Sequence, residues 1–172
     1  AFAALKNDGS VITFGFKSHG GDSSSVRESL RSDVVQIYSC KTAFAALKKD
    51  GSVVSWGSSS VNDAFQGIPI DTSAIDHQLQ SDVISISSTA HAFAALKKDG
   101  SVVTWGRDNA GGDNSEVIDD LQSGVKKIFS TYSTFLALKE DGSVVVWGGM
   151  ASGLNNQRPY SSYFPDGNTP LI

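Results

Sequence analysis

The chain repeats one short pattern four times, and this repetition limits its folds more than any other feature of its 172 residues. The pattern reads AFAALKKDGSVVSWG at residues 43–57 and returns almost unchanged as AFAALKKDGSVVTWG at 92–106. Two further copies start at Ala1 and Thr134. Equivalent leucines of the four copies lie 42, 49 and 42 residues apart, at Leu5, Leu47, Leu96 and Leu138. Periods of this length are typical of propellers, solenoids and stacked arrays.

These spacings divide the chain into four repeats and a tail. We place the repeats at 1–42, 43–91, 92–133 and 134–148, the last one incomplete, and the tail at 149–172. The second repeat is the longest, because the connection SSSVNDAFQGIPIDTSAIDHQLQSDV carries seven extra residues. The sequence starts inside a repeat and without an initiator methionine, so we expect it to belong to a longer protein.

An Asp-Gly pair between two apolar runs predicts a β-hairpin in every repeat. A three-residue loop, which we favour, would set Phe44 opposite Trp56, whereas a two-residue turn would set Phe44 opposite Gly57. The turn and the end of the following strand form what we call the hairpin motif. Its residues are Asp8, Gly9, Phe14 and Gly15, then Asp50, Gly51, Trp56 and Gly57, then Asp99, Gly100, Trp105 and Gly106, and last Asp141, Gly142, Trp147 and Gly148.

Both hairpin strands are apolar on both faces, so each hairpin must be covered on both sides by neighbouring repeats. A third strand is expected just before each hairpin, at 34–39, 83–87 and 125–130. The spacing of Val117 and Leu121 predicts a helical turn in the connecting loop, with Asp113 or Asn114 as its cap. We therefore expect an all-β, propeller-like array of four antiparallel units with three or four strands each, a partial or open β-propeller.

The net charge of −4 and the pI of about 5.2 provide no electrostatic attraction to DNA or RNA. No apolar run approaches the roughly 20 residues of a membrane-spanning helix. The single cysteine, Cys40, is expected to be a small buried residue, since an internal disulfide is impossible. We thus expect neither nucleic-acid binding nor a membrane span.

No group of residues has the pattern of a catalytic, metal or cofactor site. His19, His77 and His91 have no second histidine or cysteine at metal-ligand spacing, and we expect structural or solvent roles for them. The acidic loop around residues 108–120 does not have the spacing of a calcium loop. Its acidic residues are Asp108, Asp113, Glu116, Asp119 and Asp120. We expect a protein without enzyme activity, cofactor or metal.

The pattern ALKxDGSVVxWGxxxxGG resembles the repeat of the regulator of chromosome condensation family, β-propellers that are similar to a bacterial β-lactamase inhibitor protein. The resemblance covers residues 1–148. It rests on Leu47, Asp50, Gly51, Val53, Trp56 and Gly57 with their equivalents, and on Gly20 and Gly111. Propellers of this family commonly have seven blades. Four units therefore imply an open arc that is completed by the rest of a longer chain or by other copies.

Several departures limit what the resemblance implies for function. The family often has histidine at the head of the hairpin strand, where this chain has Ala43, Ala92 and Thr134. Phe14 stands in place of the tryptophan, and the second repeat lacks the loop glycine pair. The residue roles of a eukaryotic exchange factor therefore do not transfer. The repeats are also similar to those in large bacterial or protist proteins, often surface-associated, which favours the cell surface without fixing the compartment.

Two functions fit this sequence. The first is a non-catalytic module that acts as scaffold or as protein- or surface-binding region of a larger protein, through loops that differ between repeats. The alternative is a regulatory propeller that binds one protein target, as an inhibitor or exchange factor would. The tail is either a linking segment or an aromatic contact for a partner, with Tyr160, Tyr163 and Phe164 as candidate contacts.

Overall fold

The computed structural model describes residues 1–61 and 67–149. Twelve strands of this part form four antiparallel sheets. Sheet I contains β1 (Phe2–Leu5) and β2 (Val11–Phe14), and sheet II contains β3 (Val34–Ser39), β4 (Ala43–Lys48), β5 (Val53–Val61) and β6 (Gly67–Pro69). Sheet III contains β7 (Val83–Ser88), β8 (Ala92–Lys97) and β9 (Val102–Gly106), and sheet IV contains β10 (Val125–Ser130), β11 (Thr134–Lys139) and β12 (Val144–Gly148). The predicted all-β array is confirmed. The tail contacts proposed at 160–164 lie outside the described residues.

The hairpins have the three-residue loop. In sheet II the Lys48 N–H donates to the Ser52 carbonyl at 2.9 Å, and the Gly51 N–H donates to the Lys48 carbonyl at 2.9 Å. Gly51 has a φ of +82°, the left-handed conformation that closes such a loop. Phe44 consequently lies opposite Trp56, and the same register recurs in the other three hairpins.

The third strand precedes the hairpins of sheets II, III and IV. A shift of register near the start of each strand, between Val125 and Lys127 in β10, adds one residue to the ladder. Because of this bulge the buried residues of β10, Val125 and Ile128, are three positions apart and not two. The bulge accounts for the imperfect alternation of this strand in the sequence.

The loops contain short helices of the 3-10 type. They span Lys17–His19, Ser24–Val26, Asp76–Gln78, Asp108–Ala110 and Ser115–Leu121. At the start of the last helix the Asp113 carboxylate accepts the Ser115 N–H at 2.8 Å, whereas the Asn114 side chain makes no capping hydrogen bond. In the long second connection, expected as a loop, β5 extends to Val61 and pairs with β6.

The sheets stack face to face, and each contact between them has the same construction. One face of a hairpin carries the stacked Phe and Trp rings, and the other face carries alanines. Between sheets II and III, Phe93 and Trp105 pack into one cluster with Ala43 and Ala45 of the preceding sheet. Phe93 is fully buried, and its ring centroid lies 5.3 Å from that of Trp105. The repeated residues therefore form a core that exists only between sheets, as expected for a repeat protein.

Candidate interaction surface

The array has two ends, which the strands connect. At the hairpin end lie the four Asp-Gly loops. At the opposite end, which we call the turn end, lie the short turns between the first two strands of sheets II, III and IV, at 40–42, 89–91 and 131–133. The loops that leave the hairpins start at the same end, because the Ser58 N–H donates to the Thr42 carbonyl and the Arg107 N–H donates to the His91 carbonyl.

The aspartates at the hairpin end bind their own loops. The Asp99 carboxylate accepts the Ser101 backbone N–H at 3.0 Å and the Ser101 hydroxyl at 2.6 Å. The same pair of bonds recurs in the other three loops. These bonds, the hydroxyl first, lower the pKa of each carboxyl, that of Asp8 to about 2. The carboxylates stay ionised at neutral pH as acceptors within the loop.

The loop glycines of the hairpin motif join consecutive sheets. The Val83 N–H, at the start of β7, donates to the Gly51 carbonyl at 3.0 Å. A Cβ on Gly51 would lie 2.7 Å from the backbone nitrogen of Asp82. Glycine is thus required here both by its positive φ and by the close approach of the next sheet.

The loop glycine pair supports the tryptophan of the following sheet. The Trp56 indole N–H donates to the Gly20 carbonyl at 3.0 Å, and the Trp147 indole N–H donates to the Gly111 carbonyl at 3.1 Å. The second repeat lacks this pair. Trp105, which follows it, has a buried indole N–H without a hydrogen-bond partner among the described residues.

The candidates for chemistry remain separate in the fold. Within residues 1–61 and 67–149 no three His, Cys, Asp or Glu side chains converge as metal ligands. His19 Nδ1 lies 2.9 Å from the Ser18 hydroxyl, and His77 lies in the helix Asp76–Gln78. Burial raises the thiol pKa of the half-buried Cys40, which disfavours the nucleophilic thiolate. No helix in the described part of the chain combines the length and apolar character needed to cross a bilayer.

At the turn end the backbone connects three sheets in a row. The Lys41 N–H of sheet II donates to the Ala90 carbonyl of sheet III at 2.9 Å. The Ala90 N–H in turn donates to the Tyr132 carbonyl of sheet IV at 2.8 Å. Nonadjacent turns of the sequence therefore form one continuous surface.

We call four residues the turn cluster: Lys41, His91 and Tyr132 of these turns, and Arg107, which follows β9 and bonds to the His91 carbonyl through its backbone N–H. The Lys41 ammonium donates to the Tyr132 hydroxyl at 2.5 Å, across 91 residues of sequence. The His91 ring contacts the Tyr132 ring edge-on, with centroids 6.5 Å apart. Tyr132 nevertheless remains 65% exposed. The turn cluster thus presents an aromatic ring and the side chains of Lys41 and Arg107 to solvent, with His91 half-buried beside them.

The turn cluster is electropositive in a chain of net negative charge. Burial, followed by the positive charges of Arg107 and Lys41, lowers the pKa of His91. Its Nδ1 is buried and has no hydrogen-bond partner in the described part of the chain. Among the same residues neither Lys41 nor Arg107 forms an ion pair. The turn cluster therefore has cationic donors without an acidic counterpart.

Sequence reasoning did not single out Lys41, Arg107 or Tyr132, and it treated His91 as a loop residue. The available signal was positional. Aligned repeats place CKT, TAH and TYS directly before three successive hairpins. These turns differ in each repeat although the hairpins after them are nearly identical.

The stacked sheets have the fold of an open β-propeller. The chain superposes on Prp20p of Saccharomyces cerevisiae with a TM-score of 0.56 at 20% identity, over 85% of this chain and 42% of that one. The same yeast protein bound to Kap60 superposes with a TM-score of 0.56 at 20% identity, over 85% of this chain and 41% of that one. Human WBSCR16 superposes with a TM-score of 0.48 at 21% identity, over 85% of this chain and 44% of that one.

The predicted propeller fold is therefore confirmed, and the chain spans about two fifths of the length of the yeast protein. No protein-family model matches the sequence, and no curated protein matches it. At 20% identity, the structural similarity to the yeast protein establishes the fold alone.

Proposed function

We propose that this chain is a non-catalytic interaction module of a larger protein, in which stacked sheets form the framework and the turn end binds a partner protein. One observation carries this proposal. The residues that repeat are used within the hairpins and between sheets, whereas the turn end exposes different side chains in each unit. A surface that varies on a fixed framework is typical of binding proteins.

The exposed tyrosine of the turn cluster supports the proposal. Tyr132 is 65% exposed, yet the Lys41 ammonium and the His91 ring hold it in place. Tyrosine and arginine are enriched among the residues that dominate binding energy at protein interfaces. The yeast protein of similar fold, Prp20p, is known for binding to Gsp1p and histones, and it has been observed bound to Kap60. These binding partners are those of Prp20p. They support protein binding by this chain only because the two proteins share a fold.

Site-specific crosslinking tests the proposal. A photoreactive phenylalanine analogue replaces Tyr132 in the full chain, and Lys49 of the hairpin end in a matched control. Irradiation in an extract of the source cells should yield a protein adduct from position 132 and none from position 49. The purified partner should then bind the Lys49→Ala variant as it binds the wild type, and the Tyr132→Ala variant at least tenfold more weakly.

The stoichiometry separates the two forms of this function. A regulatory propeller with one target yields a single 1:1 adduct, whereas a scaffold yields several partners from different turn-end positions. Equal adducts from positions 132 and 49, or equal affinity of Tyr132→Ala and wild type for the partner, would show that the turn end is not the binding surface.

A further inference from the structure

Lys41 and His91 contact one exposed ring, and Arg107 lies beside His91. Lys41 comes from the turn of sheet II, His91 from the turn of sheet III and Arg107 from the loop after β9. The hydrogen bond from the Arg107 N–H to the His91 carbonyl, 2.9 Å long, keeps the last two adjacent. Tyr132 of sheet IV contributes the ring.

The charged and titratable groups beside His91 are therefore Lys41, Arg107 and the Tyr132 hydroxyl. Asp108 is the nearest acidic residue in the sequence. Within the described residues its carboxylate forms neither an ion pair nor a hydrogen bond with the turn cluster. Elsewhere on the surface, Lys6, Lys17 and Lys98 each contact a carboxylate of the chain. Among the described residues no carboxylate neutralises the positive charge of the turn cluster, which can therefore attract an external anion.

We propose that the turn cluster binds a carboxylate of an acidic peptide segment, between the Lys41 ammonium, the Arg107 guanidinium and the imidazole of His91, beside the Tyr132 ring. This inference rests on the proposed function and adds the chemistry of the ligand. Charge-assisted hydrogen bonds of this kind are about twice as strong as neutral ones. The ring offers an apolar surface to the residue next to the acidic one.

The affinity of the turn cluster for a carboxylate should depend on pH. In the free protein, burial and the charges of Arg107 and Lys41 lower the pKa of His91, so this side chain is neutral at pH 7.5. A bound carboxylate adds a negative charge and raises that pKa. Binding therefore takes up a proton, and the affinity increases as the pH falls from 7.5 toward 5.5. The gain reaches at most about tenfold per pH unit, since one group titrates.

The experiment uses the full chain and fluorescent peptides of the repeating sequence Glu-Tyr, with a Gln-Tyr peptide as the uncharged match. Fluorescence anisotropy should give an affinity for the acidic peptide at pH 6 at least tenfold higher than for the neutral peptide. Lys41→Met and Arg107→Met should each weaken acidic binding at least fivefold. Lys49→Met at the hairpin end makes the same change of charge and should have no effect. A phosphoserine-Tyr peptide tests whether phosphate is preferred to carboxylate.

Proton NMR provides a second measurement, independent of variants. The acidic peptide should raise the pKa of His91. His91→Gln should remove the pH dependence but keep part of the affinity. Equal binding of Glu and Gln peptides, a Lys49→Met effect as large as that of Lys41→Met, tighter binding of the phosphopeptide, or an unchanged His91 pKa would each overturn the carboxylate assignment. If the crosslinked partner binds Lys41→Met and Arg107→Met normally but not Tyr132→Ala, the interaction module stands and this inference alone fails.

Discussion

The hairpin end and the turn end of this molecule are built on the same strands, yet only the hairpin end repeats. Every loop at the hairpin end has an aspartate that binds a serine two residues later and a glycine in the left-handed conformation. At the turn end the equivalent positions hold Lys41, Ala90 and Tyr132, and Tyr132 contacts Lys41 and the neighbouring His91 across sheets. The framework thus constrains one end and leaves the other free to vary.

The contrast between the two ends places variable, exposed side chains at the turn end of the array. Repetition at the hairpin end follows from the folding of each unit, because loop closure and sheet stacking need the same residues each time. Variation at Lys41 and Tyr132 costs little stability, since these side chains are exposed, whereas Thr42 and Thr89 of the same turns are buried. The buried face of one sheet and the turn end should therefore respond very differently to substitution.

The largest expected effect is that of Phe93→Ala. Phe93 is fully buried against Trp105 in the middle of the stack, and truncation of such a ring costs about 3–5 kcal/mol. Tyr132→Ala at the turn end should change the free energy of unfolding by no more than about 0.5 kcal/mol. Urea unfolding followed by tryptophan fluorescence measures both. A similar loss of stability for the two variants would remove the distinction between framework and surface.

Much of the framework was predictable from the sequence because its signals are local. Asp-Gly between apolar runs fixed the hairpin, and the opposition of Phe44 and Trp56 followed from the loop length. The turn cluster was not predictable in this way. Lys41 and Tyr132 are 91 residues apart, and only the stacking of sheets II, III and IV brings them together. The pairing of β5 with β6 was not predicted either, because the second connection is rich in serine and glycine.

Alanine substitutions at two glycines of similar backbone conformation distinguish the cost of a steric clash from the cost of backbone strain. Gly111, in the turn-end loop, has a φ of +97°, and a Cβ there would lie 2.5 Å from the Phe135 ring. Gly142, at the hairpin end, has a φ of +85° and open space around it. Gly142→Ala should cost about 1–2 kcal/mol for the left-handed conformation. Gly111→Ala should cost about 1–3 kcal/mol more, since Phe135 is buried and cannot yield.

Thermal and urea unfolding of the two glycine variants provide the comparison. A crystal structure of Gly111→Ala should show the Phe135 ring displaced from Trp147. Equal costs for the two substitutions would mean that the loop glycine pair is needed only for its backbone conformation and not for contact with the next sheet.

Trp147 and Trp105 test whether the glycine-pair loop stabilises the following sheet. Both indoles are buried, and that of Trp147 donates to a loop carbonyl, that of Gly111 at 3.1 Å. Trp147→Phe removes this bond and leaves the carbonyl unpaired, whereas Trp105→Phe removes an indole N–H that has no partner among the described residues. The free energy of unfolding should therefore fall by about 1–3 kcal/mol more for Trp147→Phe. Trp56→Phe, which loses the bond to Gly20, should behave like Trp147→Phe.

The smallest effect is expected at the hairpin end, where Asp99→Asn keeps an oxygen acceptor for Ser101 and removes only the charge. Because the Ser101 hydroxyl and N–H lower the pKa of Asp99, the ionised carboxylate stabilises the folded state above the unfolded pKa of about 3.9. That contribution is lost as the pH falls through the lower folded pKa. At pH 7 the variant should be less stable by no more than about 0.5 kcal/mol, since the loop is exposed. Urea unfolding between pH 7 and pH 2 should show this gap closing below about pH 4, and Asp50→Asn should give the same profile because its loop has the same bonds. A gap that stays constant with pH would mean that the carboxylate charge plays no part in closing the loop.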